Sequence, residues 1–128
     1  TYGDGVSNIN LLKLEKFHKK NKKIATVTAV RPPARFGELT INKKTVTKFL
    51  EKPQVSQGWI NGGFFVANKK IFSFIKNDQT ILEKDPLEIL AKKKQLLAFK
   101  HFGFWRCMDT KRDKDFLEEL SKTKKAKW

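Results

Sequence analysis

The order of the elements predicted from the sequence indicates an α/β fold with a mixed, mostly parallel sheet. An amphipathic helical segment leads directly into an apolar, β-branched strand over 24–30, of the kind covered on both faces. Helical patterns then return between later strands, and strand–helix–strand units build parallel sheets. A chain of 128 residues with 39% hydrophobic residues can form one core. We therefore expect one domain, or part of one.

The first half is expected to begin with a helix that Ser7 caps and that ends near Asn21. Two prolines end the strand over 24–30. Strands over 37–41 and 46–49 flank a polar turn and are expected to form a hairpin.

In the second half, the strand over 59–66 is interrupted by two glycines, which mark a turn, a bulge or a close approach of the backbone to a ligand. A short helix over 71–75 follows, and then a helix with Asp85 as its cap and Pro86 as its first residue. A strand over 96–102 and an amphipathic helix over 110–122 complete the series.

The net charge of +15 favours anionic partners such as nucleic acid, nucleotides or anionic lipid. The excess is almost all lysine, and its runs fall at the ends of predicted helices, where solvated cations are ordinary. One cysteine, Cys107, excludes an internal disulfide and favours a reducing compartment, so a cytoplasmic location is expected. Apolar runs stay well below the roughly 20 residues that cross a bilayer.

Four segments place polar residues in apolar or glycine-rich surroundings: Tyr2-Gly3-Asp4-Gly5, Glu51-Lys52-Pro53, Asn61-Gly62-Gly63, and Phe104-Trp105-Arg106-Cys107-Met108-Asp109-Thr110. Each alone has an ordinary structural explanation, such as a turn, a surface ion pair or a helix cap. Taken in order, with Arg-Phe-Gly at 35–37 and Gly58-Trp59-Ile60, they resemble the sugar-phosphate nucleotidyltransferases over essentially the whole chain.

This resemblance implies a Rossmann-like nucleotidyltransferase of roughly twice this length. The chain would be its C-terminal half, 1–128, which carries the sugar-phosphate and metal sites, while the N-terminal half with its glycine-rich nucleotide loop is expected as a missing partner. The opening, without an initiator methionine, is read as the continuation of a preceding strand. We expect the isolated chain to be inactive and to associate, and the complete enzyme to be a homo-oligomer.

The resemblance assigns Asp4 and Asp109 as ligands of a catalytic Mg²⁺. Two carboxylates suit this ion, which keeps several waters and bridges phosphate oxygens. Gly3 corresponds to a position beside the nucleotide, where a side chain would obstruct contact. We expect the two aspartates to converge because each ends a strand at the same edge of a parallel sheet.

The remaining assignments concern the sugar phosphate. Glu51 corresponds to the acceptor of sugar hydroxyls, and Lys52 to a catalytic cation beside the phosphate. Asn61 and Gly62 correspond to groups that bind the hexose through amide and backbone contacts. The implied reaction joins CTP and glucose 1-phosphate into CDP-glucose and releases pyrophosphate, as in lipopolysaccharide biosynthesis. Thymidylyl- and uridylyltransferase relatives share the same motifs, so the base stays open.

A different class of function is also compatible with the charge. A lysine-rich module for nucleic acid could use Phe104, Trp105 or Trp59 as stacking platforms. Cys107 near His101 could form a nucleophilic pair, although packing is the commoner role of such a cysteine. His18, on a lysine-rich helix end, is expected to be solvated.

Overall fold

The computed structural model describes residues 1–32, 38–50 and 58–128. In chain order its elements are β1 (Gly5–Ser7), α1 (Leu11–Asn21), β2 (Ala25–Val30), β3 (Glu38–Asn42), β4 (Thr45–Leu50), β5 (Ile60–Ala67), a 3-10 helix (Lys69–Phe74), α2 (Asp85–Lys92), β6 (Leu96–Lys100), β7 (Trp105–Cys107) and α3 (Lys111–Lys122). The expected mixed α/β fold is confirmed. No helix within the described ranges is long and apolar enough to cross a membrane.

A three-stranded mixed sheet in the order β5–β2–β6 forms the centre of the fold. β2 pairs parallel with β6 and antiparallel with β5. Five of its six residues are buried, since β-branched and small apolar side chains fill both of its faces. The strand expected to be covered on both sides is therefore the middle strand of this sheet.

The two faces of β2 are covered by different helices. Ala25 packs with Leu87 and Leu90 of α2, whereas the next residue, Thr26, lies with its Oγ1 2.9 Å from Nδ1 of His18 on α1. Successive strand residues point to opposite faces, so α1 and α2 lie on opposite sides of the sheet. His18 is buried, and the expectation that it is solvated is wrong because the basic run occupies only the exposed side of its helix.

The structure corrects the predicted N-cap residues of two helices. Asn10 caps α1, its Oδ1 accepting from the Lys13 N–H at 2.9 Å, and Ser7 instead ends strand β1. The cap position of α2 is Lys84, which makes no capping hydrogen bond with its side chain, so Asp85 already lies inside the first turn. The expected helix over 110–122 is confirmed as α3 apart from its first residue, Thr110, which is the N-cap.

The expected hairpin is present as β3 and β4, which pair antiparallel. Its apolar side chains Leu39, Ile41 and Phe49 are exposed. A second two-stranded ladder joins β1 to β7, and neither strand was predicted. Each has three residues, too few for an alternating pattern to be recognised.

Candidate active site

The ladder of β1 and β7 brings the two predicted metal ligands together. Gly5 pairs with Cys107, and Asp4 and Asp109 lie just beyond the paired residues. The Met108 N–H donates to the backbone oxygen of Asp4 at 2.9 Å, which extends the pairing to the aspartates. The expected convergence is therefore found, but an antiparallel ladder produces it and not a shared edge of parallel strands.

Three potential donor groups meet at this point. Ligand atoms of Asp4, Cys107 and Asp109 all lie within 4.8 Å of one another, and both carboxylates are exposed. The Cys107 thiol donates to Oδ1 of Asp109 at 3.0 Å. Burial, and then the neighbouring carboxylates of Asp109 and Asp4, raise the pKa of this thiol to about 12. At neutral pH the thiol is therefore a protonated hydrogen-bond donor.

The donor set fits Mg²⁺. Its two exposed groups offer hard carboxylate oxygens, which Mg²⁺ prefers, whereas the sulfur of the less exposed Cys107 is a soft donor that suits other metals. Mg²⁺ needs only one or two protein carboxylates when substrate phosphates and water complete its shell. Two exposed carboxylates side by side provide that number.

The aspartate after β7 is fixed from the side of α3. We call β7 together with residues 108–113 the Asp109 arm. Nε and Nη2 of Arg106 donate to Oδ1 of Asp113 at 3.0 and 2.7 Å, and Thr110 Oγ1 donates to Oδ2 at 2.7 Å. The Thr110 hydrogen bond, followed by Arg106, lowers the pKa of the Asp113 carboxyl. Asp109 thus precedes a helix start stabilised by an ionic network.

The aspartate before β1 is fixed from the side of β5. We call residues 1–7 the Asp4 arm. The Tyr2 N–H donates to Gly63 O at 3.0 Å, and the Tyr2 ring packs against Phe65 with centroids 5.6 Å apart. The Tyr2 hydroxyl donates to Glu83 and accepts from Nδ2 of Asn61 at 3.4 Å. Burial and then the Glu83 carboxylate raise the pKa of Tyr2, which keeps the phenol protonated.

The strand predicted to bind the sugar contacts both arms. Gly62 O accepts from Nε1 of Trp105 at 2.8 Å, and Asn61 Oδ1 accepts from the Gly63 N–H at 2.8 Å. A Cβ on Gly62 would lie 2.8 Å from Cγ1 of Val30, so close packing on β2 requires this glycine. The pairing with β2 shifts register here, which identifies the two glycines as part of a bulge.

Of the remaining predicted site residues, the structure describes Gly3 but not Glu51 and Lys52. A Cβ added at Gly3 would have no described atom within 4 Å, so the backbone there has room for a ligand to approach. Glu51 and Lys52 lie outside the described residues, as does Arg-Phe-Gly at 35–37. Their assignments stay predictions.

Three residues that build the site were not predicted as site residues, and Trp105 was considered only as a stacking platform. Tyr2 and Trp105 belong to the quoted motifs, which was the available signal for them. Glu83 belongs to no motif, and only the folded chain brings its carboxylate to the Tyr2 hydroxyl.

The thiol–imidazole alternative is not supported by the geometry. Nε2 of His101 lies 3.2 Å from Ser7 Oγ and 3.2 Å from Phe104 O, while the Cys107 thiol is engaged with Asp109. A thiol whose pKa is about 12 is also a poor nucleophile at neutral pH.

Two of the three aromatic rings considered as stacking platforms already contact other side chains. Trp59 lies 4.7 Å from the Arg31 guanidinium and 5.4 Å from the Phe102 ring, measured to ring centroids. Phe104 stacks on Trp128 at 5.3 Å. The third, Trp105, is half-buried with its indole N–H bonded to Gly62 O. These contacts give the nucleic-acid alternative no support.

A family model described as nucleotidyl transferase matches residues 2–125, nearly the whole chain. The chain therefore belongs to the nucleotidyl transferase family.

Two relatives show which members of this family the chain is similar to. The chain is 48% identical over 128 residues to glucose-1-phosphate cytidylyltransferase of Salmonella typhimurium, covering 100% of this chain and 50% of that protein. It is 34% identical over 110 residues to mannose-1-phosphate guanyltransferase of Saccharomyces cerevisiae, covering 81% of this chain and 30% of that protein. The chain thus spans half the length of the first of these relatives and less of the second.

Solved structures agree on the fold. HddC from Yersinia pseudotuberculosis superposes with a TM-score of 0.62 at 22% identity, covering 93% of this chain and 52% of that one. At this identity the likeness concerns the fold alone.

Proposed function

We propose that this chain is the metal- and sugar-phosphate-binding part of a glucose-1-phosphate cytidylyltransferase. In the proposed reaction, a phosphate oxygen of glucose 1-phosphate attacks the α-phosphorus of CTP, CDP-glucose forms and pyrophosphate leaves. The observation that carries the proposal is the meeting of Asp4 and Asp109 beside the Asn61–Gly63 bulge. The identity of 48% with the Salmonella typhimurium enzyme favours CTP and glucose 1-phosphate as the substrates.

Asp4 and Asp109 would hold the Mg²⁺ ion, which when bound neutralises phosphate charge and aligns the triphosphate for displacement. The attacking oxygen is already anionic, so the chain needs no side-chain nucleophile, in keeping with the protonated Cys107 thiol. Its own residues bind and orient the substrates, and orientation and electrostatic preorganisation each contribute several kcal/mol.

Sugar recognition is proposed for the surface next to these carboxylates. Asn61 is exposed and offers its amide to sugar hydroxyls, and Gly62 shapes the backbone beside it. By the family resemblance, Glu51 accepts from sugar hydroxyls and Lys52 pairs with the sugar phosphate. Gly3 leaves room for the nucleotide, since no described atom occupies the position of its absent Cβ.

The chain covers only half of its Salmonella typhimurium relative, so we do not propose that its residues carry out the whole reaction alone. Because the chain spans half of the Salmonella typhimurium relative, we propose that most contacts to the CTP base come from residues outside these 128. Accordingly, the 128-residue chain by itself has little or no activity. Assembly of the complete enzyme into a homo-oligomer is likewise a proposal.

Pyrophosphate release by the complete protein tests the function. We expect turnover with glucose 1-phosphate, Mg²⁺ and CTP, and little with UTP, dTTP or GTP. Asp4→Asn and Asp109→Asn should each lower kcat/KM by about 100-fold or more. The matched control is Asp115→Asn on the exposed face of α3, where the carboxylate forms an ion pair with Lys111. Preference for another base would reassign the nucleotide, and no turnover with any would contradict the function.

Two further variants test the predictions that lie outside the described residues. Lys52→Ala should weaken the use of glucose 1-phosphate far more than CTP binding, because it removes a cation beside the sugar phosphate. Glu51→Gln should loosen discrimination among hexose phosphates. An equal loss for all substrates in both variants would instead indicate a structural ion pair.

A further inference from the structure

A chain of hydrogen bonds connects Glu83, in the segment before α2, to Asn61 on β5. The Tyr2 hydroxyl is the middle member: it donates to the Glu83 carboxylate and accepts from Nδ2 of Asn61 at 3.4 Å. We propose that Tyr2 and Glu83 are positioning residues that orient the Asn61 amide toward the hydroxyls of a hexose 1-phosphate. This inference rests on the proposed function, in which Asn61 contacts the sugar.

The donor and acceptor roles in this chain fix which way the amide points. A carboxylate can only accept, so the single hydroxyl proton of Tyr2 goes to Glu83. The hydroxyl oxygen then has only acceptor capacity left, and it must face the nitrogen end of the Asn61 amide. The oxygen end correspondingly accepts from the Gly63 N–H at 2.8 Å. Both ends of the amide are therefore specified, and the flipped orientation would lose both hydrogen bonds.

The Tyr2 ring is held independently of its hydroxyl. Its backbone N–H donates to Gly63 O at 3.0 Å, and its ring packs against Phe65. Gly63 has no side chain to displace the ring, since a Cβ there would lie 3.0 Å from Cδ2 of Tyr2. Removing the hydroxyl alone should therefore leave the ring and the Asp4 arm in place and free only the amide.

The oriented amide retains hydrogen-bonding capacity for a substrate. One Nδ2 proton and one Oδ1 lone pair are used within the protein, which leaves one further donor and one further acceptor. Asn61 is exposed, so these groups can reach a ligand. A donor next to an acceptor matches sugar hydroxyls, which both donate and accept.

The test uses the complete protein and four variants. Tyr2→Phe and Glu83→Ala should each raise the KM for glucose 1-phosphate about tenfold, the loss expected for one hydrogen bond, with kcat and the KM for CTP within about twofold. Glu83→Gln should stay close to wild type, because its amide oxygen still accepts from Tyr2. Glu88→Gln, on an exposed position of α2, is the matched control.

A second readout separates orientation from catalysis. The Asn61 side-chain NH₂ resonances in a ¹⁵N-correlated NMR spectrum should move in Tyr2→Phe and Glu83→Ala and stay in place in Glu88→Gln. Wild-type turnover with an unchanged KM for glucose 1-phosphate in Tyr2→Phe and Glu83→Ala would overturn the inference. A fall of kcat with equal rises in both KM values, in step with a lowered Tm, would also overturn it by showing a merely structural role. Absence of turnover in the wild type would instead refute the proposed function on which the inference rests.

Discussion

The two aspartates of the candidate site are held by different physics. The Asp4 arm is fixed by mainly short-range neutral contacts to β5: a backbone hydrogen bond to Gly63 and ring packing on Phe65. The Asp109 arm is fixed by charge, through Arg106 and Asp113 at the start of α3. One hydrogen bond, from Trp105 to Gly62 O, connects the Asp109 arm to the same strand.

Because the two arms have different supports, substitutions in one arm should have different effects on binding and stability from substitutions in the other. The Asp4 arm is supported by the strand proposed to bind the sugar, through the Gly63 hydrogen bond and the packing of the Tyr2 ring, so a change that displaces this ring should disturb metal and sugar binding together. The Asp109 arm shares its supports with a helix, so a change there should lower the stability of α3 and leave sugar binding intact. Changing one arm and measuring whether the other responds tests this separation.

The largest effect is expected from Gly63→Ala, at the support of the Asp4 arm. Gly63 has φ +78°, and an added Cβ would lie 3.0 Å from the Tyr2 ring. Backbone strain together with displacement of that ring should cost about 2 kcal/mol in the free energy of unfolding. Urea unfolding measures this cost. Gly3→Ala is the matched control and should change stability by less than about 0.5 kcal/mol, because nothing described crowds its Cβ position. Equal losses at both glycines would contradict the assignment of Tyr2 as a support.

Arg106→Ala tests the Asp109 arm and should have a smaller effect. The substitution removes two hydrogen bonds to a charged acceptor and the contact with the Phe116 ring, 5.0 Å from the guanidinium carbon. We expect a loss of about 1.5 kcal/mol in the free energy of unfolding, with weaker Mg²⁺ dependence and an unchanged KM for glucose 1-phosphate. A KM that rises as much as in Tyr2→Phe would show that the two arms are not separate.

Some elements of the fold could be predicted from their sequence patterns, and others could not. The strand over 24–30 and the helix over 110–122 were predictable because each has a pattern longer than one turn or one alternation. β1 and β7 were not, since three residues carry no period. The meeting of Asp4 and Asp109 was predicted from family motifs, yet its cause, an antiparallel ladder, became visible only in the fold.

Contacts between residues far apart in the sequence also could not be predicted. Glu83 meets Tyr2 only because the segment before α2 returns to the first residues of the chain, and no local spacing encodes that return. His18 shows the same limit, since a basic sequence neighbourhood did not reveal its burial against Thr26.

The smallest expected effect is a difference in the pH response of the two arms. The Asp113 pKa is lowered from its ordinary value of 3.8, so its stabilisation is complete above that pH and is lost as the pH falls through the lower folded value. The Tyr2 pKa is raised from 10.0, so its stabilisation is complete below that pH and is lost as the pH rises through the higher folded value.

Unfolding free energies across pH measure this contrast. The difference between wild type and Asp113→Asn should be constant near neutrality and shrink below about pH 3.8. The difference between wild type and Tyr2→Phe should instead shrink above about pH 10.0. Two differences that shrink at the same end of the pH scale would contradict the division into a charged and a neutral arm.

The central claim is that both arms deliver a ligand to one metal ion. Titration calorimetry of Mg²⁺ into the complete protein with a non-hydrolysable CTP analogue tests it directly, using Asp4→Asn and Asp109→Asn with Asp115→Asn as the control. We predict that each of the first two variants weakens Mg²⁺ binding about tenfold or more and that the control binds like wild type. Wild-type Mg²⁺ affinity in either Asp4→Asn or Asp109→Asn would contradict the shared site.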